Sequence, residues 1–261
     1  MLTIQQLLAG FQSLPLRGRP VIAHGSFKSF GMVQGGPKAV VDALIASTGA
    51  LVMPTFTYKT MVTPQVGPPN NGLTYGDGRD LNRMAEPFHP DLPADPLMGA
   101  LSETLRRHPS SKRTLHPILS FAGVRADAAL DRQTLLDPLA PIGALAEQDG
   151  WVVLIGVDHT VNTSIHYAEK LAGRRQFVRW ATTKGRIIEC PGFPGDSSGF
   201  QQVSEYLEND VEQIQLGGAI VRALPLLKLF DVVKTLIKVN PLALLCQRED
   251  CERCRDVRAM V

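Results

Sequence analysis

Two residues one helical turn apart carry the clearest chemistry in this chain. His166 and Glu169 lie in the run Gly156-Val157-Asp158-His159-Thr160-Val161-Asn162-Thr163-Ser164-Ile165-His166-Tyr167-Ala168-Glu169. On a helix, residues three apart share a face. A carboxylate beside an imidazole orients the ring and supports the positive charge it gains on taking a proton, as a general base for an attacking amine must. Asn162 or Thr163 can cap that helix, and a hydroxyl or N–H near Thr163 can meet a developing oxyanion. The plainer reading is a capped helix with a surface His–Glu pair. Asp158, His159 and His166 lack the tight His-Glu-x-x-His spacing of a catalytic zinc helix.

A second run, His24-Gly25-Ser26-Phe27-Lys28-Ser29-Phe30-Gly31 with Gly35-Gly36-Pro37 behind it, suits a phosphate-bearing ligand. Small residues let a ligand approach the backbone, hydroxyls and Lys28 add donors, and a following helix start offers free N–H groups. It matches neither the Gly-Lys-Ser/Thr phosphate loop nor the dinucleotide glycine spacing, and a ligand-free Gly-rich connection is an equal reading. His116 stands just before a predicted strand, where it could reach a ligand or serve a turn. Cys246, Cys251 and Cys254 cluster near the tail, with Cys190 far upstream. Four thiols could hold structural zinc, but the second short-spaced pair is missing, so ordinary reduced thiols are the competing reading.

These residues need elements to hold them. Thr3 to Leu14 reads as a capped helix. Val21-Ile22-Ala23-His24 is a buried strand, Pro37 to Ser47 a helix opened by proline, and Ala50-Leu51-Val52-Met53 a second buried strand. Together they make a strand–helix–strand unit suited to a parallel crossover. Residues 57 to 96 hold seven prolines, the run Asn70-Asn71-Gly72 and the run Gly76-Asp77-Gly78; this predicts a long irregular excursion, of the kind that is usually functional or disordered. Helical patterning resumes over Leu97 to Arg107. Strands follow at Ile118 to Val124, at Trp151 to Val157 (the clearest central strand) and at Gly185 to Glu189. Helices are predicted at Gly143 to Gln148, Ser164 to Ala172 and Phe200 to Glu208. The His–Glu run thus leaves a central strand and opens a helix, where ligands of open α/β sheets bind. No repeat or low-complexity linker divides the chain, which predicts one domain over 1–261.

Composition narrows the function classes. The chain is 44% hydrophobic and 20% charged, with a formal net charge of +2. That is ordinary for a globular protein and too weak a charge for nucleic acid. The short cluster Arg174, Arg175 and Arg179 reads as a solvated face. The apolar stretch Leu224 to Leu245 is interrupted by charges and prolines and is not expected to span a membrane. The first residues lack a signal-peptide pattern, so a cytoplasmic location and unbridged cysteines are expected.

The runs described, together with Leu51-Val52-Met53-Pro54-Thr55, Met98-Gly99-Ala100-Leu101, His116-Pro117 with Ser120-Phe121, and Pro141-Ile142-Gly143, occur in an order that resembles the antibiotic N-acetyltransferase family, which contains the aminoglycoside 3-N-acetyltransferases. The resemblance covers about residues 20 to 172. It implies an α/β fold with a mixed central sheet flanked by helices, the long excursion forming the acceptor side. It also implies acetyl-coenzyme A as co-substrate and a small-molecule amine as partner. His166 matches the family's catalytic histidine, with Glu169 and Thr163 beside it. His24, Ser26, Phe27, Lys28, Ser29, Phe30, Gly31, Thr55, His116, Ser120 and Phe121 would contact the donor. A polycationic acceptor calls for carboxylates, for which Asp77, Glu86, Glu103 and Glu205 are the expectation. The competing functions are a zinc-stabilised binding protein built on the cysteine tail, and a cofactor-binding relative without acetyl transfer.

Overall fold

The computed structural model describes residues 1–261 apart from Asp77, Arg79, Asp80 and Leu81. Its strands are β1 (Pro20–Gly25), β2 (Ala50–Pro54), β3 (Met61–Val62), β4 (Lys112–Arg113), β5 (Phe121–Val124), β6 (Trp151–Ile155), β7 (Phe177–Thr183), β8 (Arg186–Phe193), β9 (Glu212–Leu216) and β10 (Ala219–Pro225). Its principal helices are α1 (Ile4–Ser13), α2 (Gly36–Ser47), α3 (Gly99–Arg106), α4 (Ala140–Ala146), α5 (Thr163–Leu171), α6 (Leu226–Val239) and α7 (Glu252–Arg258).

Local signals start several of these. Thr3 caps α1, accepting from the Gln6 N–H while the Gln6 side chain answers on the Thr3 backbone, a reciprocal box that satisfies two orphan donors. The predicted crossover forms: β1 and β2 are parallel, Val21 opposite Leu51 and Ile22 opposite Val52. β6 lies parallel on the other side of β1. The full sheet runs β4-β5-β2-β1-β6-β10-β9, and β10 and β5 pair antiparallel to their neighbours. It is therefore the mixed sheet expected. A second sheet, β3-β7-β8, is antiparallel.

Both faces of the large sheet are covered. Side chains alternate along a strand, and β1 shows the result. Val21 and Ala23 join one core with Leu7, Phe11, Val40, Leu44 and Leu101. Ile22 joins the other, with Ile142, Ile165, Leu229 and Val233. So α1, α2 and α3 cover one face, and α4, α5 and α6 the other. The tail's apolar stretch becomes the amphipathic α6, which buries Leu226, Leu229, Phe230, Val233 and Ile237, worth about 1.5–3 kcal/mol for each side chain fully removed from water. No described helix is long and apolar enough to cross a membrane.

Several predicted boundaries move. The strand expected from Ile118 begins at Phe121, because the His116 Nδ1 accepts the N–H groups of Ile118 and Leu119 and holds them in a turn. The helix expected from Gly143 starts at Ala140, with Pro141 in its first turn, where a missing N–H does no harm. Phe200–Tyr206 winds as a 3-10 helix. The strand expected over Gly185 to Glu189 continues to Phe193.

Candidate active site

The chain leaves β1 toward β2 on one side, and β6 stands on the other. Such a reversal opens a crevice at the carboxyl ends of the strands. A narrow cleft of about 80 Å³ lies there, lined by His24, Gly25, Pro54, Val157 and Thr163 among others. A cavity of about 580 Å³ adjoins it and shares Leu97, Met98, Val161 and Thr163 with it, a size that suits a small-molecule site. His166 lines this larger cavity, as do Phe56 and, from the excursion, Tyr58 and Met61.

The His166 ring is positioned from three sides. Asn162 caps α5, its side chain accepting the Ser164 N–H, and so sets the helix that carries both members of the pair. His166 Nδ1 lies 2.9 Å from Glu169 Oε2. An ionised carboxylate can only accept, so Nδ1 is the nitrogen that donates to it. The Phe200 ring packs edge-on against the imidazole at 4.6 Å between centroids. Nε2 has no protein partner among the described residues, and the side chain stays 10% exposed at the cavity wall. Glu169, 2% exposed, also accepts from Arg174 Nη1 at 2.6 Å. The other Arg174 nitrogen donates to the carbonyls of Pro241 and Ala243, each at 2.8 Å. The surface-pair reading of His166 and Glu169 therefore fails, and so does the solvated-face reading of the arginine cluster: Arg174 and Arg179 are buried. Nothing in local sequence marked Arg174 as the carboxylate's partner.

Thr163 opens α5, lines both cavities and is nearly buried. Its backbone N–H is one of the orphan donors of a helix start.

The other predicted donor contacts divide. His24 lines the narrow cleft. Burial, aided by the neighbouring His159, pushes its pKa down to about 3, so the ring is a neutral hydrogen-bonding group. Ser26 to Gly31 form a 3-10 turn over Phe27–Phe30, with Lys28 exposed and Phe30 buried. None of these six residues lines either cavity. α2 starts at Gly36, one residue ahead of the expected Pro37, so a helix does follow the turn as predicted. Thr55, Ser120 and Phe121 are fully buried. The Thr55 and Ser120 hydroxyls are 3.2 Å apart and each donates to the other residue's backbone carbonyl, so both are engaged within the protein. His116 is the turn residue described above, neutral because burial lowers its pKa to about 4.

The turn is locked from beneath. Gly156 follows β6 with φ +60, and a Cβ there would overlap the Ser29 side chain. Gly156→Ala should therefore cost about 2–4 kcal/mol, combining left-handed backbone strain with overpacking. Urea denaturation would measure it, and a change under ~0.5 kcal/mol would mean the turn yields freely.

The larger cavity departs from the acidic expectation. The larger cavity is lined by Arg179 and Arg253 but by no Asp or Glu among the described residues. Glu86 pairs with Lys59 on the surface. Glu103 pairs with Arg106 and accepts the Ala94 N–H. Glu205 is exposed on the Phe200–Tyr206 turn. Asp77 lies outside the described residues. Salt bridges and backbone capping within reach in the fold have claimed Glu86 and Glu103. Arg179 is itself committed, donating to the carbonyls of Asn71, Gly72 and Val178, which pins the excursion to β7.

A family model described as Aminoglycoside 3-N-acetyltransferase matches residues 22–238. Aminoglycoside N(3)-acetyltransferase IV from Salmonella sp is 32% identical over 163 residues, covering 59% of this chain and 53% of that protein. The chain thus spans about half the length of that curated relative in sequence alignment. The crystal structure of aminoglycoside acetyltransferase AAC(3)-IVa, apoenzyme, matches with a TM-score of 0.80 at 25% identity, covering 100% of this chain and 98% of that one. A histidine-to-alanine mutant of AAC(3)-IVa in complex with a gentamicin matches with a TM-score of 0.79 at 26% identity and the same coverage.

Proposed function

We propose that this chain, which belongs to the aminoglycoside 3-N-acetyltransferase family, moves an acetyl group from acetyl-coenzyme A to an amine of an aminoglycoside or a similar amino-bearing small molecule in the cytoplasm. One observation carries the reading: His166, backed by a buried carboxylate, lines a small-molecule cavity that adjoins the cleft at the ends of β1, β2 and β6. The gentamicin complex of a similar protein supports the acceptor class.

In this reading the thioester enters along the narrow cleft past His24, and the amine sits in the larger cavity. The amine nitrogen attacks the acetyl carbonyl carbon while His166 Nε2 takes the amine proton. The tetrahedral oxyanion is met by the Thr163 N–H or hydroxyl. Its collapse breaks the carbon–sulfur bond, and the proton held on His166 passes to the leaving thiolate. Glu169 stabilises the imidazolium without itself changing protonation, the role a buried carboxylate takes behind a catalytic histidine. The cavity binds a cationic acceptor through aromatic faces such as Tyr58 and Phe56 and through backbone carbonyls, since its described lining offers no carboxylate.

The test is release of the coenzyme A thiol across a panel of amines, with aminoglycosides of high charge set beside amino sugars bearing one amine. Acceptor-dependent thiol release with an acetylated product by mass is expected for at least one compound. Thiol release that never depends on an amine would remove the assignment.

A further inference from the structure

Three of the four cysteines gather where the sequence put them, but the fourth partner differs. The thiols of Cys246, Cys251 and Cys254 and a carboxylate oxygen of Asp196 all lie within 4.8 Å of one another, and all four residues are buried. Cys190 stays apart in β8, its thiol directed to the Ile188 carbonyl at 3.9 Å. Zinc bound by thiolates at about 2.3 Å in a tetrahedron requires ligand separations of about 3.8 Å, so the gathered atoms need to close by only about 1 Å.

The surroundings fit a bound dication. A carboxylate buried among three thiols is an arrangement that burial alone penalises. With a dication at the centre, three thiolates and one carboxylate leave two surplus negative charges. Two guanidinium groups are at hand for them: Arg248 and Arg253 reach Asp196 Oδ2 at 3.1 and 3.4 Å. Asp196 Oδ1 is oriented by the Ser198 N–H at 2.9 Å, and Arg258 donates to the Cys246 carbonyl. Ligand orientation by such outer partners is the usual companion of a metal site. Four protein donors leave no open position, which marks a structural site rather than a hydrolytic one.

We propose that Cys246, Cys251, Cys254 and Asp196 bind one structural divalent metal of the zinc class, and that this metal fastens the chain's tail to the wall of the acceptor cavity. Gly195 and Ser197, on either side of Asp196, line that cavity, as does Arg253 from between two of the thiols. Arg253 Nη1 donates to the Gly195 carbonyl at 3.0 Å. Asp256, on the same short helix α7, accepts the N–H of Gly72 in the excursion at 2.8 Å. The metal thus positions two segments of the cavity wall, around Asp196 and at Arg253, and through Asp256 it holds the excursion at Gly72. Its effect on acceptor binding rests on the functional reading above; its binding does not.

The experiment uses the full chain, expressed with added zinc and purified without chelator or metal resin. Elemental analysis should find about one zinc per chain, as a closed four-ligand site requires. Replacement by cobalt(II) should give thiolate-to-cobalt absorption and the intense visible bands of four-coordinate cobalt. Asp196→Asn and Cys254→Ser should each lower metal content at least tenfold, while Cys190→Ser leaves it unchanged. If those variants fail to fold, wild-type protein stripped by chelator should lose thermal stability and regain it on zinc addition alone. A wild-type chain that carries no zinc and takes up no cobalt overturns the proposal, as does an intact mass showing a disulfide within the cluster. Metal content is read without acetyl transfer, so zinc in a chain that acetylates nothing would sustain this proposal and remove the functional one.

Discussion

His166→Ala should yield a folded chain whose acetyl-transfer turnover is lower by about a hundred- to ten-thousand-fold, the range a positioned general base supplies. Folding survives because the change leaves no buried charge alone: Glu169 still accepts from Arg174 at 2.6 Å. Donor binding should change little, since His166 lines the larger cavity and not the narrow cleft past His24. The loss therefore belongs in kcat and in kcat/KM together, as for an interaction made only in the transition state. Steady-state rates with the best acceptor, alongside donor affinity by calorimetry, would check both halves. Turnover within a few-fold of wild type would take the base role away from this residue.

Glu169→Ala should be the more damaging change to the protein itself, costing about 3–5 kcal/mol of stability, the usual penalty for breaking a buried ion pair from one side. The reason is the far partner. Arg174 is 3% exposed at its side chain, and without the carboxylate its guanidinium keeps only the two carbonyls of Pro241 and Ala243. Turnover should fall as well, because the His166 ring loses the acceptor that holds its Nδ1 proton. In Glu169→Ala combined with Arg174→Met the charge is gone from both sides, so stability should recover in part while turnover does not. Urea denaturation of the three proteins separates the two effects. A single Glu169→Ala variant as stable as wild type would mean water reaches Arg174, and the buried pair would carry no structural weight. The His166→Ala and Glu169→Ala losses in turnover should not add, since the two residues act as one unit.

Much of the scaffold was readable in advance because its signals are short-range. Thr3 with Gln6 three residues on closes the first cap. Proline near the start of α2 and the apolar runs of β1, β2 and β6 announce the parallel core. Asn162, His166 and Glu169 fall within two turns of one helix, so helical geometry alone places the ring beside its carboxylate. Boundaries were less certain where a side chain intervenes, as when His116 draws Ile118 and Leu119 out of the predicted strand.

Long-range charge pairing was hidden. Arg174 looked solvated because its partners are a carboxylate five residues back and two carbonyls nearly seventy residues ahead. Asp196 gave no sign that it would face three thiols some fifty residues away. Acidic residues of the excursion and of α3 looked like a pocket for cations, yet Glu86 and Glu103 found Lys59 and Arg106 first. Periodicity and capping depend on neighbours a few residues apart, so they are written in local order. Which charge meets which depends on where distant segments come to rest and how much water is excluded there. That left the helix, its cap and the His166–Glu169 pair legible from residue order, while packing alone assigned the arginine behind the carboxylate, the cationic lining of the cavity and the fourth member of the cysteine cluster.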